Sequence, residues 1–202
     1  MMVELRGIEV VLRPLSIDDA EALAATAAES HEPYRFNPVP NGLEEAQHAI
    51  KQTLRQRDAG QRCPCTIVWR HRVVGTTSYW DVHPWQWPVG CPMQRTDRPD
   101  AVEVGSTWLA ASAQRTRCNT EAKYFLLAHA FEGWEVHRVS LRTDERSEQS
   151  RRAIERLGAR FEGIRRADMP GQDGTVRHSA FYSIVRAAWP EVRDRLQGLL
   201  SR

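Results

Sequence analysis

Residues 112–132, SAQRTRCNTEAKYFLLAHAFE, pass without a break from a polar, cationic loop into a helix that is apolar on nearly every side. Ala122, Phe125, Leu126 and Ala130 line one face, and Tyr124, Leu127, Ala128 and Phe131 line another. A helix that is hydrophobic all round must be buried, so the remaining chain has to enclose it. The segment before it, AVEVGSTWLA, alternates as a strand does, which makes the unit strand, loop, helix. A helix start presents about four main-chain N–H groups without internal partners and a partial positive charge, and phosphates settle there. Here the donors run from Arg115 to Thr120, with Arg115 and Arg117 as charge partners and Asn119 or Thr120 as cap. A merely solvated cap has the same composition, so the loop alone leaves both readings open.

Around this unit the chain reads as a strand over IEVVLRPLS and a helix over DDAEALAATAAES, capped by Ser16 or Asp18. A second helix, LEEAQHAIKQTLRQRDAG, stops at Gly60. Strands CTIVWR and VVGTTSYWDV follow, joined by the turn Arg70-His71-Arg72. Beyond the buried helix come strand HRVSLRT, helix SEQSRRAIERLGA ending at Gly158, strands ARFEGIRRADM and RHSAFYSIV, and a closing helix WPEVRDRLQGLL. The expected architecture is α/β (α+β): a mixed sheet flanked by helices. It forms one domain over residues 1–202, with an extended Pro- and Trp-rich loop at about 82–100.

Of the 202 residues, 41% are hydrophobic and 27% charged, the profile of a soluble globular protein. The formal charge is only +2, which argues against a dedicated nucleic-acid binder. No stretch reaches the roughly 20 apolar residues needed to cross a bilayer, and the start MMVELRGIEVVLRP lacks the form of a signal peptide. A cytoplasmic location without membrane or nucleic-acid partners is therefore expected. Cys63, Cys65, Cys91 and Cys118 lack zinc or redox spacing and read as free thiols.

The run VEVGSTWLAASAQRTRCNTEAKYFLLAHAFE…HRVSLRTDERSEQSRRAIERLGARFEGIRR resembles the GNAT acetyltransferase superfamily. It is most similar to the branch holding ribosomal-protein N-terminal acetyltransferases and related small-molecule, including antibiotic, acetyltransferases. The resemblance implies a mostly antiparallel sheet splayed between the fourth and fifth strands, and acetyl-coenzyme A as co-substrate. Gln114-Arg115-Thr116-Arg117-Cys118-Asn119 fits the family's Q/R-x-x-G-x-G/A cofactor loop, with Arg117 replacing a glycine that lets the backbone close on the pyrophosphate. Glu103 alternates with Val102 and Val104 and falls at the family's base position, with Gly105 a natural bulge. Backbone groups of Gly105, Ser106, Thr107 and Trp108 are then expected to bind the pantetheine arm like an added strand. SEQSRRAIERLGA resembles the signature N-x-x-S-x-x-A-I-x-x-L-G-A, with Ser147 in place of Asn and Ser150 beside the thioester sulfur.

The implied reaction is acetyl transfer to a primary amine, with Glu103 as base and Ser150 as hydrogen-bond donor or acid to the departing thiolate; no metal is required. The substrate side is expected from Glu29, Tyr34, Trp80, Asp81, Trp85 and Trp87, since tryptophan faces pack on sugars or cations and carboxylates pair with ammonium. A small amine of the amino-sugar or aminoglycoside type is favoured, which would make resistance by modification the role. A protein N-terminus and a catalytically idle coenzyme A-binding module are the alternatives, and a homodimer is compatible with the branch.

Overall fold

The structure, a computed structural model, describes residues 4–29 and 36–201. Eight strands form one sheet: β1 (Leu5–Arg6), β2 (Val10–Pro14), β3 (Arg62–Trp69), β4 (Arg72–His83), β5 (Ala101–Leu109), β6 (Arg138–Asp144), β7 (Arg160–Pro170) and β8 (Val176–Val185). Their spatial order is β1-β2-β3-β4-β5-β6-β8-β7. Every neighbouring pair is antiparallel except β5 with β6, which is parallel. Among the described residues five α-helices accompany the sheet: α1 (Ala20–Ala27), α2 (Leu43–Asp58), α3 (Cys118–Ala128), α4 (Glu148–Leu157) and α5 (Trp189–Leu200). Among the described residues no helix is long and apolar enough to cross a membrane.

The all-round apolar helix is α3, and it is enclosed as its pattern requires. Leu126 and Leu127 are buried among Leu12, Ile67, Tyr79, Val102, Val104 and Tyr182, together with Leu196 of α5. The opposite face of the sheet carries a smaller core in which Leu23, Ala27 and Ile50 from α1 and α2 pack on Leu15 and Trp108. Local signals set two of the element ends. Ser16 accepts from the Asp18 amide (3.2 Å) and its own amide donates to Asp19 (3.0 Å), starting the turn into α1. Gly158 closes α4 in the left-handed region at φ +100°.

The strand β1 has no counterpart in the sequence reading. The turn behind it is docked on α3 by Glu121, whose Oε1 accepts from the amides of Ile8 (2.6 Å) and Glu9 (3.0 Å). Gly7 is needed in that turn, because a Cβ there would lie 2.1 Å from the same oxygen and 2.3 Å from the Phe125 ring.

The bulge in β5 sits one residue later than expected. Gly105 pairs with Ser78 and Trp108 with Thr76, so Ser106 and Thr107 together oppose Thr77. Ser106 rather than Gly105 takes the left-handed conformation, at φ +49°. The extra residue inverts the alternation. Val102, Val104 and Leu109 face the α3 core, whereas Trp108 joins α1 and α2 on the other side.

Candidate active site

The parallel pairing of β5 with β6 covers Ala101↔Arg138, Val102↔Val139 and Glu103↔Ser140, and then ends. Beyond Glu103 the strands diverge, β5 bending at its bulge and β6 continuing to Asp144. The opening this leaves has Glu103 at its apex.

Glu103 projects to the face opposite Val102 and Val104 and is 8% exposed. Its Oε1 accepts from Arg142 Nε at 3.0 Å. Burial pushes its pKa above the ordinary glutamate value, against the opposing pull of Arg142. Gly105 leaves this carboxylate room, since a Cβ there would lie 3.1 Å from Oε1. Beside Glu103 opens a cavity of about 490 Å³. Ala101 and Val102 of β5 and Arg138, Ser140 and Arg142 of β6 line it on one side. Glu162 and Arg165 of β7, Phe181 of β8, and Asp81, His83, Pro84 and Trp85 complete it.

At the far end of β5 lies the cationic loop. Gln114 donates to the Leu109 carbonyl (3.0 Å), and Arg115 is left-handed at φ +59°. The Thr116 hydroxyl donates to the Ala113 carbonyl (2.7 Å) and accepts from the Cys118 amide (3.1 Å), fixing the entry to α3. Among the described residues, the main-chain amides of Arg115, Thr116, Arg117, Asn119 and Thr120 find no protein acceptor. The buried Asn119 Oδ1, an acceptor and so not one of these donors, also lacks a partner. Such a ring of free donors at a buried helix start is suited to an anion. The Arg117 side chain is turned to the Leu200 carbonyl at 3.1 Å, which ties the loop to the end of α5 rather than aiming the guanidinium at a bound phosphate. Arg156 of α4 donates to the Thr120 hydroxyl at 3.1 Å, which leaves Thr120 its amide and its own hydroxyl proton to offer a ligand.

The start of α4 faces this loop. Gln149 donates to Gln114 (3.4 Å), and Ser147 and Ser150 share a hydrogen bond of 2.9 Å. Behind the bulge, Lys123 of α3 is 6% exposed and donates to Thr107 Oγ1 at 2.6 Å, and that hydroxyl also meets Thr77 Oγ1 at 2.7 Å. Burial lowers the Lys123 pKa to about 7.

The expected substrate residues are only partly gathered. Asp81 and Trp85 line the cavity. Trp80 lies under Arg62 (4.3 Å) and donates to Ser106 Oγ (3.1 Å), buttressing the bulge. Trp87 pins its loop by donating to the buried Asp100 (3.3 Å), which also takes the Trp85 amide (2.8 Å). Glu29 accepts from the Ser112 amide (2.9 Å) and Arg72 (3.3 Å), and those bonds hold it against the start of the cationic loop rather than at the cavity. Tyr34 lies outside the described residues. The sequence reading passed over Arg138, Ser140, Arg142, Glu162, Arg165, Phe181 and Lys123. For the three β6 residues a signal existed: in RVSLR they alternate with Val139 and Leu141.

A splayed β5–β6 pair, a donor-lined loop leading into a buried helix, and a second helix start against that loop define the α/β class of this chain. Residues 9–160 match the family model described as the acetyltransferase (GNAT) domain, and the chain belongs to that family. A solved structure from T. thermophilus, assigned as an acetyltransferase, is 30% identical, at a TM-score of 0.81, covering 99% of this chain and 98% of that one. The ribosomal-protein-S5-alanine acetyltransferase from Vibrio fischeri is 18% identical, at a TM-score of 0.68, covering 93% and 99%. The microcin C7 self-immunity acetyltransferase MccE, solved with acetyl-CoA and AMP, is 17% identical, at a TM-score of 0.71, covering 89% and 93%. No curated protein matches the sequence.

Proposed function

We propose that the protein transfers an acetyl group from acetyl-coenzyme A to a primary amine of a small molecule. The observation that carries this is the buried Glu103 carboxylate, standing where β5 and β6 part and opening onto the cavity. In this reading the amides from Arg115 to Thr120, with Gln114 and Ser147 flanking them, hold the diphosphate. The backbone from Gly105 to Trp108 pairs with the pantetheine arm as an added strand would.

An alkylammonium has a pKa near 10, so a proton must leave before nitrogen attacks. Glu103, directly or through water, takes it, and its raised pKa suits a general base. The nitrogen lone pair forms the new C–N bond at the thioester carbonyl, and an amide at the Ser106–Thr107 bulge stabilises the oxyanion. The nitrogen, cationic after attack, gives up its second proton to solvent as the C–S bond breaks, and the sulfur leaves as thiolate with a hydrogen bond from Ser150. A thiolate of pKa about 8.5 needs little further help.

A cavity of about 490 Å³ walled by the loop after β4 favours a small acceptor over a protein terminus. Trp85, 40% exposed, offers a face for a sugar ring, and Asp81 and Glu162 offer carboxylates to an ammonium, as an amino sugar requires. The test is thiol release from acetyl-coenzyme A over an amine panel, with wild type and Glu103→Gln. The variant is expected to lose about 10²- to 10⁴-fold in turnover at neutral pH and less at high pH, where the amine deprotonates unaided. A wild-type pH profile in the variant would remove Glu103 as base.

A further inference from the structure

One face of β6 presents Arg138, Ser140 and Arg142 in alternation, and all three line the cavity beside Glu103. Arg142 is held by Glu103 (3.0 Å) and Asp168 (3.5 Å), and Arg165 by Asp168 (3.1 Å). Arg138 differs. Its Nε donates to Ser140 Oγ at 3.1 Å, and among the described residues no carboxylate pairs with its guanidinium. The Ser140 hydroxyl, accepting from Arg138, keeps its own proton to donate. Ser140 pairs with Glu103 across the sheet, and Arg138 stands two residues back along the strand, a separation of about 7 Å. The cavity therefore has a carboxylate end at Glu103 and a guanidinium end at Arg138.

A planar guanidinium fork matches carboxylate and phosphate oxygens in pairs. The neighbouring Arg142 and Arg165 are already paired with Glu103 and Asp168, while Asp81 and Glu162 leave a partner for an ammonium. The lining sets Arg138, Arg142 and Arg165 against Asp81, Glu103 and Glu162, a balance that suits a zwitterion rather than a polycation. We infer that the acceptor is a small primary amine that also bears a carboxylate or phosphate a few bonds from its nitrogen, clamped by Arg138 and Ser140; this rests on the acetyl-transfer reading above.

Thiol release with acetyl-coenzyme A is to be measured on matched acceptors: phenylalanine against phenethylamine, phosphoethanolamine against ethanolamine, and kanamycin as the polycation. The anionic member of at least one pair is expected to lead in kcat/KM by about tenfold or more, as a charge-assisted bond allows, and which pair leads separates carboxylate from phosphate. Arg138→Leu should collapse that ratio through KM, with Arg138→Lys restoring part of it, in variants whose acetyl-coenzyme A binding heat matches wild type. Equal rates within both pairs, kanamycin as the best acceptor, or an Arg138→Leu loss shared by both members of a pair would overturn the inference. Absence of thiol release with every amine, despite calorimetric binding of acetyl-coenzyme A, would instead bring down the acetyl-transfer reading and this inference with it.

Discussion

Glu103 is held between two opposing influences, and their balance sets where it titrates. Burial raises its pKa, and the Arg142 guanidinium at 3.0 Å draws it back down. Removing the cation by Arg142→Met leaves the burial uncompensated, so the pKa rises further. The acidic limb of the kcat/KM–pH profile is then expected to move to higher pH, with the loss of activity largest on the acid side. A rate profile at fixed acceptor concentration checks this, and a limb that stays in place would show that Glu103 does not govern it. The position of Glu103 was legible from alternation with Val102 and Val104. Its partner was not, because Arg142 lies 39 residues away.

At the scale of elements, α3 is fastened to the β5 bulge by a buried amine. Lys123 reaches Thr107, the residue after the left-handed Ser106, and no carboxylate is among the causes of its shift. Its folded-state pKa of about 7 lies below the ordinary 10.5, so between these values the unfolded chain binds the extra proton. Stability conferred at this position therefore rises with pH across that window, by at most about 1.4 kcal/mol per pH unit, and the full penalty is present below it. Lys123→Met is expected to raise Tm at pH 7 and to lose that advantage toward pH 10, a comparison calorimetry can make directly. The apolar pattern of the helix calls for burial all round, but only the packing of α3 under β5 shows what the Lys123 amine meets there.

For the molecule as a whole, the cavity depends on segments distant in sequence being held in register. Asp100, fully buried, takes the Trp85 amide and the Trp87 indole, and Trp85 stacks on His137 with ring centroids 5.7 Å apart. Asp100→Ala removes the acceptor of two part-buried donors, at up to about 1–3 kcal/mol each and less where water replaces it. It should lower Tm and raise the acceptor KM several-fold while acetyl-coenzyme A affinity, read by calorimetry, holds. A loss of cofactor affinity of the same size would mean that the loop supports the whole site and not one wall of it.

The chain alone determined its strand–loop–helix unit, the enclosure of α3, the order of the elements from β2 onward, the close of α4 at Gly158 and the face on which Glu103 stands. Each of these follows from periodicity or end chemistry within a few residues. Tertiary structure alone decided the bulge at Ser106 and Thr107, which turned Trp108 to the other side of the sheet. It also decided the capture of Arg117 by Leu200, the pinning of Trp87 by Asp100, and the convergence of Arg138, Arg142, Glu162 and Arg165 on one cavity. Those features arise from strand register and from contacts across tens of residues, which no local pattern encodes.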